Sequence, residues 1–248
     1  MSKSSNFKVE IWIVLALSLG ASAVYSTVSL INKLTAPSGL AGQTTSINPS
    51  LARAEWLDFT YQILGITFGL APLALALYLV WQSDGNPLKR LSLTFEKPSF
   101  WITRGFGLAA LIGIPGIGLY VAARLLGLSS KILPAELPDY WWVVPVLLLA
   151  AVKAALVEEV IVVGFLFDRL EKIGFSWAKQ LWISSILRAS YHLYQGFGGF
   201  VGNLLMGLVF GLAYKKWGRL TPLVVAHFLL DAFSFVGFAL IGNNLPLP

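Results

Sequence analysis

Leu156-Val157-Glu158-Glu159-Val160-Ile161-Val162-Val163-Gly164 places two adjacent carboxylates inside a run, Trp141 to Phe167, whose only other charge is Lys153. That run is long enough to cross a bilayer as a helix. An ionisable side chain at membrane depth costs about 2.5–3.5 kcal/mol on insertion scales. Two in succession require partners or a function. The chain has two histidines, His192 and His227, and both also lie in apolar segments. Glutamates and histidines together therefore mark the expected centre of a polar site inside a helical membrane bundle.

Composition agrees with that reading. Only 12% of the residues are charged and the mean hydropathy is +0.74, whereas a soluble domain carries about a quarter charged residues. In lipid every backbone polar group must be paired internally, which leaves helices or a closed barrel. The apolar runs are too long and too little alternating for barrel strands. The expected fold is all-α, a polytopic bundle of about seven transmembrane helices, within a range of six to eight. The chain has no cysteine, which removes disulfides, thiolate zinc sites and a cysteine nucleophile. No block of like charges resembles a nucleic-acid tail, so no nucleic-acid partner is expected.

The seven runs are Val9–Ile31, Leu57–Trp81, Phe100–Leu126, Trp141–Phe167, Ala178–Tyr194, Phe200–Tyr214 and Leu220–Ile241. The first has a signal-peptide-like start, but its apolar character continues to Ile31, which favours an uncleaved span. Asn32–Trp56 is expected to be a loop with little regular structure. Gly113-Ile114-Pro115-Gly116 predicts a kink or a break in the third run. Lys3, Lys8, Lys89, Arg90, Lys97, Arg169, Lys172, Lys179, Lys215, Lys216 and Arg219 fall on one side of this layout, against Lys33, Arg53 and Lys131 on the other. The positive-inside rule then puts the amino terminus in the cytoplasm and Gly242–Pro248 outside. The expected setting is a multi-pass protein of a prokaryotic plasma membrane, with lipids as neighbours and an unassigned oligomeric state. Gly65/Gly69, Gly198/Gly202 and Gly207/Gly211 allow close helix approach, either within the bundle or between copies.

His227 and Asp231 are four apart and share a helix face, and Arg188 stands one turn before His192. At 1.5 Å per residue, Glu158 lies about 15 Å from the cytoplasmic end of its span, His227 about 10 Å, Asp231 about 16 Å and His192 about 20 Å. These depths let the groups meet near mid-membrane. A glutamate in a low-dielectric pocket can take a proton from water, and histidines can position that water or donate to an oxyanion. The same groups, Glu158, His192 and His227, are the candidate ligands if a divalent metal such as zinc is present. A His-Glu-x-x-His helix is absent.

Three motifs in order, Glu158-Glu159 with its following apolar turn, Arg188-Ala189-Ser190-Tyr191-His192, and His227-Phe228-Leu229-Leu230-Asp231, resemble those of the CAAX protease and bacteriocin-processing family of intramembrane proteases, also called the Abi family, which includes the type II CAAX prenyl endopeptidases. The resemblance covers roughly residues 140–241. It implies a catalytic core at 140–248 and an accessory region at 1–139. It further implies an endopeptidase acting on a membrane-associated protein or peptide. In that reading Glu158 activates water, His192 orients it, and His227 with Asp231 forms the oxyanion site, Glu159 completing the catalytic set. No cofactor is favoured, although the family has also been described as metalloendopeptidases. One departure stands out. The family arginine falls at Val163, so Glu159 lacks a cation one turn away, and Arg188 on a neighbouring helix is the expected substitute. The alternatives are a non-catalytic binding or immunity protein and a proton-coupled transporter. Lys153 sits about 140° around the helix from Glu158 and is not its partner.

Overall fold

In the computed structural model, which describes residues 3–241 and the side chains from Asn6 onward, the apolar runs are helical and pack around the glutamate-bearing segment. The placement expected for Gly242–Pro248 lies outside the described residues. The chain opens with α1 (Lys3–Ala16) and α2 (Leu19–Thr35). The single straight span expected at Val9–Ile31 is instead this pair, bent by 49°. The bend has a local cause. Ser18 leaves the helical region (φ −145°, ψ −120°), its hydroxyl takes the Val14 carbonyl at 2.5 Å, and a Cβ on Gly20 would lie 2.7 Å from the Leu15 carbonyl oxygen.

α3 (Glu55–Gly69) and α4 (Ala71–Asp84) follow end to end, then a short α5 (Pro87–Arg90) and α6 (Pro98–Leu125). Of the kink or break expected at Gly113–Gly116, the break does not occur: α6 runs through with Pro115 in its interior. The loops are more ordered than expected. β1 (Thr44–Ser46) and β2 (Lys131–Leu133) pair in parallel and tie the two long loops together.

The glutamate segment forms one helical path from Val143 to Lys172: α7 (Val143–Glu158), a π-helical stretch (Glu159–Phe165) and α8 (Leu166–Lys172). α9 (Trp177–Tyr191) leads through a 3₁₀ turn (Leu193–Gln195) into α10 (Phe197–Trp217), and α11 (Thr221–Ile241) closes the described chain. Among the described residues, four helical stretches are long and apolar enough to cross a membrane: Glu55–Asp84, Pro98–Leu125, Phe197–Trp217 and Thr221–Ile241. The bent α1–α2 pair makes a fifth. The expected seven also include the Val143–Lys172 path, which the π stretch divides, and α9, which has only 15 residues.

The π stretch is buried throughout and lies in the larger apolar core, with Leu91, Phe210, Leu220 and Leu223 against it. A second core, around Trp142, Leu147 and Phe235, sits toward the other end of α7. Two of the glycine pairs lie against neighbours inside the bundle: a Cβ on Gly207 would stand 2.8 Å from the Ser185 Cα and Gly211 faces Leu181, while Gly198 and Gly202 face Ser129 and Leu119; an added Cβ on Gly65 would meet nothing. Gly69 makes room for the stem of Lys153, whose Cδ would lie 3.0 Å from an added Cβ.

Charges divide between the two ends. At one end the buried Arg169 guanidinium meets Glu10 (2.6 Å), Asp168 (2.5 Å) and Asp84 (3.4 Å), Arg90 meets Asp168 (2.6 Å), and Lys172 pairs with Asp84 and Asp168. This network stitches α1, α4, α5 and α8 together. At the opposite end Lys33 bonds Thr45 of β1 and the Tyr194 carbonyl, and Glu55 accepts from the Trp142 indole at 3.3 Å.

Candidate active site

Three elements bring the site together: the α7–π junction, the carboxyl end of α9 and the middle of α11. On a regular α-helix, adjacent residues point about 100° apart, so two neighbouring carboxylates ordinarily serve different surroundings. Here the helix widens at Glu159, and both carboxylates reach the same guanidinium. Arg188 Nη2 donates to Glu159 Oε1 and Oε2 at 2.8 Å each, and Nη1 donates to Glu158 Oε2 at 3.4 Å. The π turn coincides with the chemistry, as such turns often do.

Burial separates the two glutamates. Side-chain exposure is 0% at Glu159 and Arg188, but 13% at Glu158 and 17% at His192. Glu159 is thus a closed, fully paired carboxylate, and Glu158 faces open space. Glu159 has a second partner, since its Oε1 lies 2.6 Å from His227 Nδ1. With both Glu159 oxygens accepting from Arg188, His227 donates to Glu159 from Nδ1, and its Nε2 is aimed at Glu158 and Asp231. The distances are 3.9 Å to Glu158 Oε2 and 3.5 Å to Asp231 Oδ2. Glu159, rather than Asp231 alone, therefore orients the imidazole.

His192 caps α9 and points Nε2 at the same Glu158 oxygen, 3.8 Å away. Its Nδ1 lies 3.4 Å from Gln195 Nε2, and its ring stacks near Tyr191 and Tyr194. The backbone beyond it is clamped. Ser130 fixes the turn: its N–H and its hydroxyl both donate to the Gln195 carbonyl (3.1 and 3.2 Å), and Lys33 Nζ donates to the Tyr194 carbonyl at 2.6 Å. Gly196 permits the turn with φ +104°, and a Cβ there would lie 2.7 Å from the Leu128 carbonyl oxygen.

All six residues singled out in the sequence, Glu158, Glu159, Arg188, His192, His227 and Asp231, thus fall in one cluster. Tyr191 was not among them, yet its hydroxyl donates to Glu158 Oε2 at 2.7 Å. Helical spacing offered a signal, since Tyr191 follows Arg188 by three residues on the His192 face. Arg188 Nε has no hydrogen-bond partner among the described residues, and the guanidinium lies over the Phe210 ring at 5.5 Å.

As a metal site the cluster is a poor fit. Glu158, His192 and His227 are the candidate ligands, but Glu159 and Asp231 already engage His227, and among the described residues no group of three has metal-ligand spacing. As an acid–base site the fit is better. One carboxylate oxygen faces two imidazole nitrogens across gaps of 3.8 and 3.9 Å, beside a cleft of about 440 Å³ that reaches α2. A water seated beside these three atoms, about 2.8 Å from each, meets a base and two nitrogen partners at once.

Over residues 140–233 the chain matches the family model described as type II CAAX prenyl endopeptidase Rce1-like. The matched stretch contains every residue of the cluster and leaves α1 to α6 outside it. No curated protein and no solved structure matches the chain.

Proposed function

We propose that the protein, whose segment 140–233 is Rce1-like and whose apolar helices make it an integral membrane protein, is an intramembrane endopeptidase that uses a glutamate-activated water. The observation that carries this reading is the placement of Glu158 Oε2 between His192 Nε2 and His227 Nε2 at the end of a cleft. Glu158 takes a proton from the water, and the resulting nucleophile attacks the carbonyl carbon of the scissile peptide. His192 holds the water in line. His227, protonated on both nitrogens, gives one N–H to Glu159 and the other to the developing oxyanion. The proton on Glu158 then passes to the leaving amine.

The remaining residues position these groups. Arg188 balances Glu159 and steadies Glu158 from one side, and the Tyr191 hydroxyl holds the same carboxylate from the other. Asp231 supports His227 on its Nε2 side. We read the end bearing Arg169 as cytoplasmic, from the lysine and arginine distribution.

The test is hydrolysis by purified protein in detergent, against libraries of farnesylated and unmodified membrane-associated peptides, with and without a chelator. Cleavage that survives chelation and is lost in Glu158→Gln and His192→Ala supports the reading. Cleavage that persists in folded Glu158→Gln overturns it, and chelator-sensitive cleavage replaces it with metal catalysis.

A further inference from the structure

The cleft beside Glu158 has two walls of different origin. Glu158, Tyr191, His192 and Tyr194 belong to the Rce1-like segment, whereas Leu19, Ser22, Tyr25, Ser26 and Ser29 come from α2, well outside it. Ser26 is committed, donating to the Tyr191 carbonyl at 2.8 Å and closing the floor against α9. Ser22 back-bonds to its own helix at 3.3 Å. The hydroxyls of Tyr25 and Ser29 have no partner among the described residues. Next to them in sequence, Val24, Val28 and Ile31 are exposed apolar side chains, so the mouth opens toward lipid.

We propose that this cleft receives an unwound stretch of a membrane-inserted peptide chain, and that α2 supplies hydrogen-bond partners for its backbone. The proposal rests on the protease reading of Glu158. A peptide bond inside a helix is shielded from attack, and unwinding it in lipid exposes N–H and C=O groups that must find partners. Tyr25 and Ser29 offer free hydroxyls where acyl chains would offer none. Leu19 to Ser29 spans about 15 Å of helix, enough for about four or five extended residues. None of the lining side chains is a lysine or arginine. Lys33, one turn beyond Ser29, is already held by Thr45 and the Tyr194 carbonyl, and His227 is held by Glu159, so a free carboxyl terminus buried here would have to compete for a countercharge and the bond presented is internal to the substrate.

The chain has no cysteine, so Ser22→Cys, at an exposed position of the cleft wall, carrying a benzophenone maleimide is a single photoreactive site. The full-length protein in liposomes is offered three probes. One is a Leu/Ala transmembrane peptide interrupted by a central Gly-Ser-Gly. The second is the same peptide ending in a free carboxylate at that interruption. The third is a water-soluble peptide with the same centre. The expected result is labelling of the first probe, with a fall of about tenfold or more when Ser29→Trp fills the cleft and a smaller fall when Tyr25→Phe removes a hydroxyl. The other two probes label to a comparably lower extent. Equal labelling of the soluble probe, labelling of lipid alone, or labelling indifferent to both Ser29→Trp and Tyr25→Phe overturns the proposal. Equal labelling of the carboxylate-ended probe overturns its internal-bond half. Labelling does not require hydrolysis, so Glu158→Gln retains it. Labelling by a protein that cleaves nothing keeps the cleft and sinks the protease, and cleavage without labelling does the reverse.

Discussion

Replacing Arg188 by methionine isolates the central ion pair of the bundle. The guanidinium is wholly buried and makes two 2.8 Å hydrogen bonds to Glu159, whose side chain is equally inaccessible. Removing it leaves a buried carboxylate with His227 as its remaining partner. Breaking a buried pair in this way costs about 3–5 kcal/mol. An ordinary interhelical hydrogen bond in a membrane protein averages only about 0.6 kcal/mol, so the two accounts differ by several-fold. The assay is reversible denaturation in mixed micelles, followed by helicity, for the parent, Arg188→Met, Glu159→Gln and the double variant. Neutralising Glu159 removes the charge that Arg188→Met strands. The double variant is therefore expected to be less destabilised than the sum of the singles, with a coupling of about 2–3 kcal/mol. Additive effects, or a loss below about 1 kcal/mol in Arg188→Met, would refute the pair as the element that joins α9 to the π segment.

Three further outcomes follow from the geometry. Tyr191→Phe removes the hydroxyl that donates to Glu158 at 2.7 Å while keeping the ring; stability should fall by about 1 kcal/mol, with hydrolysis slowed by about tenfold or more, read as kcat at saturating substrate. Gly207→Val forces a Cβ against the Ser185 Cα at 2.8 Å. It should cost about 1–3 kcal/mol in the same denaturation assay and lower activity too, because α9 carries both Arg188 and His192. Lys33→Met frees the Tyr194 carbonyl and Thr45 from their shared donor. Proteolysis or hydrogen exchange across 192–196 should then rise with little change in the α7 to α8 path, and unchanged exchange there would deny Lys33 its clamping role.

The polar cluster was legible because lipid makes buried charge conspicuous. In a chain this apolar, Glu158, Glu159, His192, His227 and Asp231 stand out without any structure, and depths within about 10 Å of one another along separate helices suggested that they meet. Arg188 could be singled out as the cation for Glu159 because Val163 occupies the turn where an intrahelical partner would stand. Tyr191 was less visible, since a tyrosine in an apolar helix is ordinarily packing. The bend between α1 and α2 was illegible for a related reason: Ser18 and Gly20 are tolerated inside membrane helices, and only their backbone geometry reveals the turn. Pro115 misled in the other direction, its helix continuing past it.

Hydropathy and the placement of ionisable residues by themselves determined that the chain is a helical membrane protein with a carboxylate–histidine centre, because both signals depend on the cost of polar groups in lipid and not on how helices meet. Tertiary structure alone decided which carboxylate does what. Helical spacing makes Glu158 and Glu159 neighbours, but only the π turn, the reach of Arg188 from α9 and the contact of His227 from α11 close one around its partners and leave the other open to the cleft. Those contacts join residues 29 to 68 positions apart, a separation that no local pattern encodes.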